Sequence, residues 1–112
     1  MDKIERFPGE AAGRCRAVAY GGFVWAVGTG TGDTVAEQTR TTLAQIDRNL
    51  ADAGSGKDRI VEATVYLTDM AAKAEMDTVW CEWIGEHGPC RACVGTDLAP
   101  GDLVEVKLLA VR

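Results

Sequence analysis

Apolar residues alternate with polar ones in several short runs and recur at helical spacing in two longer stretches, so the chain reads as strands interleaved with two helices. Ile4 to Phe7 is short, β-prone and stopped by Pro8-Gly9, a turn signal. Ala17-Val18-Ala19-Tyr20 and Phe23-Val24-Trp25-Ala26-Val27 flank Gly21-Gly22, and a glycine pair supplies the positive φ values of a two-residue hairpin turn. A run of Gly and Thr from Gly28 to Gly32 reads as a flexible loop. It leads to Thr34, which with Glu37 makes a T-x-x-E capping box and starts a helix near Val35. Leu43, Ile46, Leu50 and Ala53 keep helical spacing, and Ala53-Gly54 is a stop signal.

From Arg59 to Thr68 the pattern alternates, with Val61, Ala63, Val65 and Leu67 on one face and Glu62, Thr64 and Tyr66 on the other. Asp69 is placed to cap a second helix. Its stripe of Met76, Val79, Trp80, Trp83 and Ile84 is broad enough to bury against a sheet, and its expected end is His87-Gly88. Cys90 to Leu98 and Leu103 to Val111 read as two strands around Ala99-Pro100-Gly101-Asp102, a Pro-Gly turn that predicts a closing hairpin. This order of elements needs at least one crossover and predicts an α+β (mixed α/β) fold over residues 1–112, a mixed sheet with two helices packed on one face. In the last strand Val104, Val106, Leu108 and Ala110 make one apolar face, while Leu109 and Val111 join Glu105 and Lys107 on the other. If the helices cover the first face, Leu109 and Val111 need a second cover, and another copy of the chain is the simplest one.

Composition narrows the function classes. The chain has 112 residues, 46% of them hydrophobic and 26% charged, which suits one soluble domain with a modest core. A net charge of −5 without any Lys/Arg run disfavours nucleic acid as a partner. Met1-Asp2-Lys3-Ile4-Glu5-Arg6 has no basic segment leading into an apolar one, and the most apolar stretch, Ala17 to Gly28, is too short for a membrane helix. A cytoplasmic protein without a membrane segment is expected, and in that compartment Cys15, Cys81, Cys90 and Cys93 are expected to be free thiols.

The stretches Tyr20 to Gly28, Glu37-Gln38-Thr39-Arg40 with Leu43 and Ile46, Ile60 to Met70, Pro89-Cys90-Arg91-Ala92-Cys93-Val94, Leu98-Ala99-Pro100 and Val104-Glu105-Val106 occur in an order and spacing that resemble the Rid (reactive intermediate deaminase, YjgF-like) family over nearly the whole chain. The resemblance implies a compact, chorismate-mutase-like Rid fold, a homotrimer, and clefts between subunits that bind small carboxylated molecules. It also implies cofactor-free hydrolysis of enamines and imines of 2-amino acids to 2-oxo acids and ammonia. Carried over by position, Arg91 matches the residue that grips the substrate carboxylate, Cys93 a position that lines the cleft, and Glu105 an acidic residue that positions the attacking water. Gly13-Arg14-Cys15 stands where the family has Gly-Pro-Tyr, so Cys15 replaces a substrate-facing Tyr and marks a divergent branch.

These residue types suit that chemistry. Arginine donates two parallel hydrogen bonds to a carboxylate, and a glutamate can take a proton from water. On strand alternation Arg91, Cys93 and Gly95 share one face, expected to turn away from the core, and the closing hairpin would bring Glu105 near them. A plain cross-strand Arg91–Glu105 ion pair fits the same pattern, as does a non-catalytic module that binds or senses a 2-oxo acid or amino acid in the same cleft. Cys90-x-x-Cys93 has no second C-x-x-C and lies on a strand where residues three apart point oppositely, so no metal site is expected. Arg14, Arg16 and Arg91 would lower the pKa of a neighbouring Cys15 or Cys93 thiol, although inert thiols are the plainer reading. His87 is assigned to helix termination, the glycine loop lacks the Gly-Lys-Ser/Thr of a phosphate loop, and Trp80 and Trp83 are assigned to the core.

Overall fold

The computed structural model describes residues 3–112. Its elements are β1 (Glu5–Pro8), β2 (Cys15–Tyr20), β3 (Phe23–Gly28), α1 (Val35–Asp52), β4 (Ile60–Leu67), α2 (Lys73–Ile84), β5 (Cys90–Gly95) and β6 (Val104–Val111). The six strands form one sheet in the order β1-β2-β3-β6-β4-β5, in which only β4 and β5 run parallel. Both helices pack on one face, where Leu43, Ile46 and Leu50 of α1 and Met76, Val79 and Trp80 of α2 meet the inward residues of β2, β3, β4 and β6. The α+β class with a mixed sheet and two helices on one face is borne out.

Local chemistry accounts for most element boundaries. Tyr20 pairs with Phe23 across the first hairpin, and of the two turn glycines only Gly21 takes a positive φ, 57°. A type II′ turn needs a positive φ at its first central residue alone, so one glycine serves where two were expected. Thr34 caps α1 by accepting from the Glu37 N–H at 3.1 Å, while the Glu37 carboxylate accepts from the Asp33 N–H at 2.8 Å. The return arm of the capping box thus falls one residue before the cap. Asp69 caps a short 3-10 turn, Met70–Ala72, which feeds α2. That helix stops at Ile84, because Gly85 takes a φ of 63°; His87 lies beyond it and exposed, so it does not terminate the helix as expected.

Two longer-range expectations are corrected. The alternation of β4 is interrupted by a register shift between Ile60 and Glu62; Ile60 is buried and Val61 is 45% exposed, where Val61 was expected inside. A bulge adds one residue to the strand and reverses the facing of everything before it. Strands β5 and β6 do not form a hairpin. The turn itself exists, with the Asp102 N–H bonded to Ala99 O at 2.9 Å and Gly101 at φ 89°, as a Pro-Gly type II turn requires. However, β6 inserts between β3 and β4 and leaves β5 at the edge, parallel to β4 across the α2 crossover.

A polar row on α1 governs the loops at one end of the sheet. Gln38, Thr42 and Asn49 are buried, and Gln45 is partly so. Gln45 holds Thr29 by both its N–H (3.1 Å) and its carbonyl (2.9 Å), and Thr42 Oγ1 accepts from the Gly30 N–H at 2.7 Å. The Gln38 amide donates to Gly32 O and Gly101 O and accepts from the Leu103 N–H, at 3.0, 2.9 and 2.8 Å. The Gly28–Gly32 segment is therefore clamped, in contrast to the flexible loop expected, because buried backbone groups need partners and the helix supplies them. Gly30 sits against the backbone of Thr41 and Thr42 with no room for a Cβ. We expect Gly30→Ala to destabilise the fold by about 2–3 kcal/mol through overpacking, read as a lower urea midpoint; an unchanged midpoint would show that α1 yields easily.

Candidate active site

Arg91 lies on the edge strand β5, in register with buried Ala63, and so on the helix-covered face of the sheet. This corrects the expectation that it turns away from the core. Its Nη2 donates to Asp77 Oδ1 at 2.6 Å, its Nη1 approaches Met76 Sδ at 3.8 Å, and its guanidinium stands 5.2 Å from the Trp80 ring centroid. The side chain is 17% exposed. Asp77 also accepts from Lys73 Nζ at 2.7 Å, an i,i+4 pair along α2. A half-buried cation thus rests on an indole face and is held by a carboxylate one helical turn from its lysine partner.

Strand insertion separates the other named residues. Cys93 is in register with Val65, so it shares Arg91's face and packs beside the core. Glu105 faces Tyr66 in register and lies on the opposite, helix-free face, with β4 between its strand and β5. The absent β5–β6 hairpin is the reason, and it also removes the cross-strand Arg91–Glu105 ion pair. Cys15 begins β2, next to a bulge at Arg16, and β3, β6 and β4 lie between it and β5. One chain therefore brings Arg91 and Cys93 together and leaves Glu105 and Cys15 elsewhere. Cys90, in register with Glu62, faces away from Cys93, as strand geometry requires.

Asp77 was missed in the sequence, where it reads as one more polar residue of an amphipathic helix. Its spacing from Lys73 was the available signal; its contact with Arg91 crosses from helix to strand and has none. The helix-free face is lined by Val18, Trp25, Val27, Leu109 and Val111, all only partly buried, with Phe23 49% exposed and 6.2 Å from Trp25 between ring centroids. No helix among the described residues is long and apolar enough to cross a membrane.

Burial pushes the Asp77 carboxyl up, but hydrogen bonds from Lys73 and Arg91 and their charges outweigh it and hold the group below its ordinary range. A carboxylate with a depressed folded pKa adds stability above its unfolded pKa and loses it as pH falls through the folded value. We expect Asp77→Asn to flatten the loss of stability below about pH 4 relative to wild type, measured as urea midpoints across pH; parallel curves would mean the pair contributes nothing.

The comparisons with known proteins agree with this fold. The family model described as Endoribonuclease L-PSP matches residues 11–112. A RutC family protein of Haemophilus ducreyi is 38% identical over 95 residues, covering 83% of this chain and 80% of its own. The crystal structure of NMB1025, a YjgF family member from Neisseria meningitidis, superimposes with a TM-score of 0.92 at 42% identity over 98% of this chain and 95% of that one. That of Rv2704, a member of the YjgF/YER057c/UK114 family from Mycobacterium tuberculosis, does so with a TM-score of 0.92 at 30% identity, over 98% and 100%. With the family model matched over residues 11–112, from ahead of β2 through β6, the chain belongs to the Endoribonuclease L-PSP family, the Rid or YjgF-like proteins.

Proposed function

We propose that the chain is an enamine/imine deaminase that hydrolyses reactive 2-imino acids to 2-oxo acids and ammonia, without metal or organic cofactor, in clefts completed between the subunits of a homotrimer. The observation that carries this reading is Arg91, braced by Asp77 and Trp80 at the free edge of the sheet within Pro89-Cys90-Arg91-Ala92. A guanidinium has five N–H donors, and Asp77 takes only one side of the fork, so donors remain for a substrate carboxylate. Water then adds to the imine carbon while Glu105 takes its proton and passes it to the nitrogen; the carbinolamine then loses its hydroxyl proton to the nitrogen by way of Glu105, the C=O bond forms, the C–N bond breaks and ammonia leaves. An enamine first takes a proton at carbon to become the imine.

The separation of Arg91, Glu105 and Cys15 within one chain supports a cleft shared by copies, because no single copy gathers them. The half-buried row of Val18, Trp25, Leu109 and Val111 supports the same conclusion, since a second subunit would take it out of water. Cys15, in place of a Tyr, favours a second reading on the same site, a module that binds a 2-oxo acid or amino acid without turnover. Saturable ligand binding with no ammonia release from freshly generated imines would select it.

Arg91→Ala is expected to lower kcat/KM for imine hydrolysis by about 30- to 1000-fold, since a charge-assisted contact of about 2–4 kcal/mol is lost. Arg91→Lys should be intermediate at best, and Glu105→Gln should keep ligand binding while slowing turnover. Rates of 2-oxo acid formation decide this, and wild-type activity in Arg91→Ala would overturn the site. Light scattering should return three chain masses, with Leu109→Asp shifting the population to monomer; a monomeric wild type would remove the shared cleft.

A further inference from the structure

Tyr66 stands directly opposite Glu105 across the β4–β6 ladder. The facing of both is forced by their neighbours. Val65 and Leu67 are buried under the helices, so Tyr66 between them turns to the helix-free face, and Val104 and Val106 do the same for Glu105. The register at this point is unbroken. Downstream of the bulge between Ile60 and Glu62 it runs to Leu67 opposite Val104, and the Thr68 N–H extends the contact to Leu103 O at 3.2 Å. The pair therefore lies within the ladder and not at a frayed end, where opposite side chains stand next to each other on one face.

Both side chains are half-buried, and Glu105 makes no ion pair among the described residues, so its carboxylate is open to water. The groups around the pair leave Tyr66 as its natural partner. Val94 flanks Tyr66 on the β5 side and is apolar, and Lys107, two residues along β6, stands opposite Thr64 instead. Tyr20, the only other tyrosine of the chain, pairs with Phe23 at the hairpin end of the sheet. A tyrosine side chain is longer than that of glutamate, so the hydroxyl stands further from the sheet than the carboxylate beside it. A water resting on the carboxylate thus comes level with the hydroxyl.

We propose that Tyr66 is a further catalytic residue, whose hydroxyl holds the attacking water jointly with Glu105. The inference rests on the deaminase reading and deepens it. The water donates one hydrogen to the Glu105 carboxylate and the other to the Tyr66 oxygen, which leaves its lone pair aimed at the imine carbon of a substrate anchored by Arg91. Glu105 alone takes and passes a proton; the phenol keeps its own throughout.

Initial rates of 2-oxo acid formation from freshly generated imines test this in wild type, Tyr66→Phe, Glu105→Gln and the double variant. Tyr66→Phe should lower kcat about 10-fold with KM nearly unchanged, because the loss falls on the water and not on the grip of Arg91. In the Glu105→Gln background the same change should cost less than about 2-fold, since two residues that hold one water are coupled. Tyr20→Phe should keep the wild-type rate. Loss of one oxygen leaves the ring in place, so Tyr66→Phe should also keep the wild-type urea midpoint and mass. A wild-type rate in Tyr66→Phe, an effect on KM alone, equal losses in both backgrounds, or a lowered midpoint would each overturn the proposal and leave the deaminase reading standing. A wild type that releases no ammonia from any imine would overturn both.

Discussion

The two antiparallel ladders that β6 makes, with β3 on one edge and β4 on the other, hold the sheet together. Its alternation sets the facing of the whole layer: Val104, Val106, Leu108 and Ala110 go under the helices, and the partners in register with them follow. The last strand of the chain thus occupies the middle of the sheet, so the core closes only through contacts distant in sequence. Two consequences reach the candidate sites. Strand β5 is displaced to the edge, where Arg91 meets Asp77 and Trp80, and the β5–β6 connection must cross the end of the sheet, where Gln38 ties it down.

Helix α1 serves both layers of this arrangement. One side carries Leu43, Ile46 and Leu50 into the core, and the row of Gln38, Thr42, Gln45 and Asn49 satisfies backbone groups of the glycine loop and of β3. Buried polar side chains are tolerated because each finds partners, and no buried side-chain nitrogen or oxygen among the described residues lacks one. The same helix, through Asn49 and Asp52, fixes Arg16 of β2. Arg91 on β5 shares the single Asp77 carboxylate of α2 with Lys73, so it is held in place while keeping its charge.

The one-sided cover of the sheet separates the candidate catalytic residues by physical necessity. A residue on the helix face and one on the free face are divided by the sheet itself, and residues on β2 and β5 are divided by three strands. Under the proposed function, chemistry that uses Arg91 with Glu105 or Cys15 would take surfaces from more than one copy.

What the amino-acid sequence determined by itself was local. The Thr34 cap, the Gly21 turn, the Pro100-Gly101 turn, the stripes of both helices and the inward positions of β6 all depend on residues within a few positions of one another, and all are legible. The family resemblance was legible for the same reason, since its motifs are short runs in fixed order. Tertiary structure alone decided which strand lies beside which. A Pro-Gly turn closes whether or not its flanking strands pair, so nothing in Ala99 to Asp102 reveals that β6 leaves β5 for the gap between β3 and β4. The facing of Arg91, its bond to Asp77, the burial of Ile60 in place of Val61 and the clamping of the glycine loop follow from such long-range register. Register is set by the burial of the whole sheet face at once, a sum over residues far apart in the chain, and no window of neighbouring residues contains it.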